Sequence, residues 1–99
     1  MTVHTAAPQF KADRKLLEYI ESKLGKLSHV FDRIIDCSVT LKLENSGQVR
    51  DKIAEVKLQV PGGVIVASET QRTFEAAVDV LSDKLRRQLK RYKSRQRGR

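Results

Sequence analysis

Apolar residues recur along this chain with two periods, and the places where the period changes mark out its elements. Residues 2–6 alternate, which predicts a short edge strand with Val3 and Thr5 facing inward, ended by Pro8. Asp13 suits a helix start, because its side chain accepts bonds from the free amides of the first turn. Leu16, Leu17, Ile20, Leu24 and Leu27 then follow the helical period and predict a first helix over 13–29, with one apolar stripe. Gly25 lies inside it at a cost of about 1 kcal/mol relative to alanine, and marks either a close backbone approach or an early weakening of the helix.

From Ile35 the period becomes two. Cys37, Val39, Leu41 and Leu43 share one face of a half-buried strand, and Ser38, Thr40, Lys42 and Glu44 the other. Asn45-Ser46-Gly47-Gln48 reads as a turn. Ala54, Val56, Leu58 and Val60 alternate in a second strand; Pro61-Gly62-Gly63 is a tight connection, and Val64 to Ser68 form a third. Phe74, Ala77, Val78, Leu81, Leu85, Leu89 and Tyr92 predict a last helix over 71–94, started by Gln71-Arg72-Thr73. The order is β-α-β-β-β-α. The expected α+β fold packs two helices on one face of a four-stranded sheet and leaves the other face polar and open.

Length and composition narrow the possibilities. The chain has 99 residues, enough for one domain, and 39% of them are hydrophobic. The domain is expected over 1–94, with 95–99 as a basic disordered tail. The single cysteine, Cys37, forbids an internal disulfide, and one Cys with two His forbids a thiolate zinc site. No apolar run approaches the roughly 20 residues of a membrane span, and no secretory signal is visible, so the expected compartment is the cytoplasm.

Charge changes the picture more. Residues 1–83 hold 11 basic and 12 acidic side chains, whereas residues 84–99 hold 9 basic ones and no acid. A field that concentrated captures polyanions. On a helix, Lys84, Arg87 and Arg91 fall in one row, and Arg86, Lys90 and Lys93 in a second; the two rows flank the stripe of Leu85, Leu89 and Tyr92. Lys23 and Lys26 at the end of the first helix extend the same surface. Arginine forks onto phosphate oxygens and lysine acts as a point charge.

No catalytic set assembles, and no metal, cofactor or small-molecule substrate is expected. His4 and His29 have no nucleophile partner, and His29 reads as a cap or surface residue. Cys37 reads as a small buried hydrophobe, and Pro61-Gly62-Gly63 lacks the Lys-Ser/Thr of a phosphate loop. Asp79 and Asp83 suit the positive start of a helix and are expected to pair with Lys84 or Arg87. The strands show no exposed aromatic pair for stacking bases, so recognition of structured RNA by backbone and shape is favoured over reading of single strands. A membrane-surface helix is disfavoured, since the core needs the last helix's apolar stripe. The alternative is a regulatory module whose basic helix binds an acidic protein; the acid-free stretch 84–99 fits a polyphosphate better.

The segment TFEAAVDVLSDKLRRQLKRYK (73–93) resembles the second-helix signature of the ribosome hibernation factors, the hibernation-promoting factor and ribosome-associated inhibitor A family, also called the sigma-54 modulation protein family. APQFKADRKLLEYIESKLGKL (7–27) and FDRI (31–34) resemble its first helix and following turn, and PGG-VIVAS (61–68) its last hairpin. The resemblance implies a fold like that of a double-stranded-RNA-binding domain. It further implies binding to the small ribosomal subunit, in the channel for messenger RNA and the A- and P-site tRNAs, where the protein blocks translation and preserves idle ribosomes in starvation or stationary phase. Contact residues carried over are Lys23, Lys26, Lys84, Arg87, Gln88, Arg91 and Lys93, to which the charge rows add Arg86 and Lys90. Thr73 stands where the family often has Asp, which weakens the expected helix cap. The chain resembles the short form, without the second, dimerising domain of longer members, and is expected to be a monomer when free.

Overall fold

Both periods become real elements in the computed structural model, which describes residues 1–46 and 49–97. Strand β1 (Val3–Ala6) leads to helix α1 (Arg14–Gly25) and the one-turn helix α2 (Leu27–Val30). Strands β2 (Asp36–Ser46), β3 (Val49–Val60) and β4 (Gly63–Gln71) follow, and helix α3 (Phe74–Arg97) closes the chain. The sheet order is β1-β2-β3-β4. β2, β3 and β4 form the expected antiparallel meander, with Val39 opposite Val56 and Val56 opposite Ala67. β1 joins its edge in parallel, Val3 opposite Cys37 and Thr5 opposite Val39. The connection from β1 to β2 contains α1, and a crossover of that length is what a parallel pair requires.

The core is one layer between the sheet and its helices. Cys37, Val39 and Leu41 from β2, and Ala54, Val56, Leu58 and Val60 from β3, are buried beneath Ile20 and Leu24 of α1 and Phe74, Ala77, Val78, Leu81, Leu85 and Leu89 of α3. The opposite sheet face is open and carries the Lys42–Glu55 ion pair at 2.9 Å together with exposed Val64 and Val66.

Several expected boundaries move. The first helix is not continuous over 13–29: it ends at Gly25, and α2 restarts at Leu27. No atom would lie within 4 Å of a Cβ at Gly25, so this glycine marks a weakening and not a close approach. Ser28 Oγ donates to the Gly25 carbonyl at 2.8 Å and satisfies the broken end. Leu17, expected in the apolar stripe, is 36% exposed. Asp13 caps α1 as expected, accepting from Leu16 N–H at 2.8 Å. β4 continues to Gln71, so the last helix begins later than 71, where Thr73 Oγ1 accepts from Ala76 N–H at 3.1 Å. The same helix runs to Arg97, so residues 95–97, expected in a disordered tail, form its last turn; residues 98 and 99 lie outside the described residues, as do 47 and 48 of the expected β2–β3 turn. The Pro61-Gly62 turn joins Val60 to Gly63, with Gly62 at φ 83°, the combination of proline and positive-φ glycine that suits a type II turn.

Candidate nucleic-acid interface

The cationic half of α3 is held on the sheet by its own inner stripe. Leu85 and Leu89 are fully buried, and Tyr92 anchors the next turn. The Tyr92 hydroxyl donates to the Pro61 carbonyl, and its ring meets Phe31 edge-on at 5.6 Å between centroids. One aromatic side chain therefore ties the helix to both the β3–β4 turn and the end of α2, so the cations beside it project from a fixed support.

The two rows predicted from spacing lie on the two flanks of this stripe. Arg86, Lys90 and Lys93 face α2 and, with Lys26 and His29, line a groove of about 590 Å³. On the other flank, Gln88, Arg91 and Arg95 line a second groove of about 650 Å³ beside Ile65 of β4. Arg87, Lys90 and Arg91 are exposed and take part in no ion pair among the described residues. Lys93 Nζ reaches the Val30 carbonyl at 3.5 Å, and Arg86 meets Asp83 at a loose 4.0 Å.

Two of the expected contact residues are committed elsewhere. Lys84 Nζ lies 2.7 Å from Glu69 Oε2, an ion pair between α3 and β4. Lys23 Nζ lies 3.3 Å from Asp79 Oδ1, between α1 and α3. Asp79 also accepts from the Tyr19 hydroxyl. The expected pairing with Lys84 or Arg87 is thus replaced: Asp79 pairs across elements with Lys23 and Tyr19, and Asp83 meets Arg86 within α3. The hydrogen bond from Tyr19 and the neighbouring Lys23 hold the Asp79 carboxyl below its ordinary range. The same bond pushes the Tyr19 hydroxyl up to about 12, since donating its proton to a carboxylate favours the neutral phenol. Lys84 likewise holds the Glu69 carboxyl below its ordinary range. Lys23 and Lys84 thus each join α3 to a neighbouring element through an ion pair while remaining 40% exposed.

Spacing alone missed His29 and Arg95 as groove residues. A signal for Glu69 was available: it shares strand parity with half-buried Ile65 and Ala67, and a carboxylate on that side needs a cation from the covering helix. Cys37 is fully buried, and burial pushes its thiol up to about 12. No cluster of three metal-ligating side chains exists among the described residues, and no helix among them is long and apolar enough to cross a membrane. What this end of the molecule offers is a set of cations on a helix anchored to the sheet, with donors on two flanks, an arrangement suited to a backbone of phosphates.

Residues 3–97 match the family described as Sigma 54 modulation protein / S30EA ribosomal protein. The chain belongs to this family. A ribosome hibernation promoting factor of Pseudomonas putida is 35% identical over 96 residues, covering 97% of this chain and 90% of that protein. The Escherichia coli protein of the same name is 40% identical over 80 residues, covering 81% of this chain and 80% of that one. A ribosome hibernation promotion factor of Deinococcus radiodurans is 42% identical over 80 residues, but the match spans only 41% of its length. Among solved structures, a ribosomal subunit interface protein from Coxiella burnetii superposes with a TM-score of 0.84 at 24% identity, covering 95% of this chain and 99% of that one. At that identity the likeness speaks for the fold, which is the family's α+β sheet with helices on one face.

Proposed function

We propose that this member of the family is a ribosome hibernation factor that acts in the cytoplasm by steric occlusion. Its cationic α3 end docks on the RNA of the small ribosomal subunit, in the channel used by messenger RNA and tRNA, and the folded domain over 1–94 fills space that translation needs. The relatives' names support the ribosome as target. The observation that carries the surface is the acid-free run from Lys84 onward, held rigid by Tyr92 with cations on both flanks. Charge supplies most of the affinity, and fit of a preformed rod to folded RNA supplies selectivity. Lys26, Arg86, Arg87, Gln88, Lys90, Arg91 and Lys93 make the contacts, while Lys23 and Lys84 position them.

Reversing Arg87, Lys90 and Arg91 to Glu tests the assignment. The triple variant is expected to lose co-sedimentation with small subunits while its thermal midpoint stays nearly unchanged, since all three side chains are exposed. Retained pelleting with ribosomes would show that a different surface binds. A wild-type protein found only in light gradient fractions would favour the regulatory protein-binding module instead.

A further inference from the structure

The groove between α2 and α3 sets a histidine among cations. Lys26 and His29 line it from the α1–α2 turn and α2, and Arg86, Lys90 and Lys93 from α3. No carboxylate is among its lining residues; Asp83 approaches Arg86 at 4.0 Å without joining the lining. The His29 imidazole is exposed and enters no hydrogen bond or ion pair among the described residues, so its proton-binding nitrogens are open to whatever fills the groove. Histidine is the side chain whose charge ordinarily changes between about pH 5 and 8. Phosphodiester oxygens, which stay anionic throughout that range, would bring negative charge to the imidazole and favour its cationic form.

We infer, resting on the RNA-binding role proposed above, that His29 is a proton-gated phosphate contact: RNA binding takes up a proton there, and affinity rises as pH falls. Four permanent cations make the groove attractive to phosphate at any pH, and His29 adds a fifth that the pH controls. The sign follows from linkage, because the bound state holds more protons than the free state and is therefore favoured by acid. The chain has only one other histidine, His4, which lies 3.1 Å from Asp36 at the β1–β2 edge, away from this groove.

The test measures the dissociation constant of the full chain for purified small ribosomal subunits at about pH 6 and about pH 8, at one ionic strength. Wild type and His4→Gln should bind about fivefold more tightly at the lower pH, the increment of one further charge-assisted contact. His29→Gln should match wild type at the higher pH and show no such gain. His29→Lys, a permanent cation, should bind tightly at both. A wild type without pH dependence, or a His29→Gln variant that keeps all of it, overturns the contact. If wild type binds at neither pH, the ribosome-binding role itself fails and the contact falls with it.

Discussion

Single side chains decide how much of the positive charge is available. Glu69 and Asp79 each pair with one lysine, and both carboxyls are held below their ordinary range, Glu69 chiefly by Lys84 and Asp79 chiefly by the Tyr19 hydroxyl. A carboxyl that is more acidic in the folded than in the unfolded chain contributes stability above the unfolded value, and that contribution fades as pH falls through the folded value. The thermal midpoint should therefore drop as pH is lowered below about 4, the ordinary carboxylate range. Glu69→Gln should flatten part of that drop, at a cost near neutrality of less than about 1 kcal/mol because Lys84 is 40% exposed. Calorimetry of the two proteins across pH checks it; equal acid sensitivity would show that the Lys84–Glu69 pair is not coupled to folding. Tyr19 works in the opposite sense: its raised value, about 12, means that its share of stability is lost as pH climbs from about 10 through 12.

At the level of elements, α3 owes its position to contacts at both ends. Thr73 caps its start and supplies the amide acceptor that an aspartate would otherwise provide. Near the other end, Tyr92 depends on the shape of the β3–β4 turn, because it bonds to the Pro61 carbonyl inside that turn. Gly62 at φ 83° keeps the turn tight. A Cβ there would meet only the Tyr92 hydroxyl, at an ordinary 3.8 Å, so Gly62→Ala costs backbone strain and not a clash. It should destabilise the protein by about 1–2 kcal/mol in urea unfolding. It should also weaken small-subunit binding by loosening the support of the cationic turns; an unchanged urea midpoint would mean that the turn adopts another conformation at no cost. At the other helix pair, the chain breaks at Gly25 and restarts as α2, and Lys26 and His29 on either side of that restart line the groove with α3.

For the molecule as a whole, a body of 50 × 25 × 18 Å carries its cations toward the end where the β3–β4 turn and the close of α3 meet. Binding through such an end should be strongly salt-dependent, because each phosphate neutralised releases condensed counterions. Neutralising Arg87, Lys90 and Arg91 together to Gln should reduce the slope of log affinity against log salt by about 2, at roughly 0.7 per contact. Filter binding across a salt series measures this. A slope that does not change would place the phosphates elsewhere, even if affinity fell. The open sheet face, with its Lys42–Glu55 pair, has no comparable excess of charge and is expected to contribute little to the slope.

The linear chain alone carried the order of the main elements, the two faces of the first three strands, the inner stripe of α3 and the acid-free run after Asp83. These are local properties: periods of 2 and 3.6 residues follow from backbone geometry, and a run of like charges is visible without a fold. The family signature in 73–93 is likewise a property of one contiguous segment. It took the folded contacts to show that β1 lies parallel beside β2, that the first helix breaks at Gly25, that Lys84 and Lys23 pair with Glu69 and Asp79, and that His29 lines a basic groove. Each of these joins residues distant in sequence, and the energy of a charge is set by what lies within a few ångströms of it, which the spacing of letters along one element does not specify.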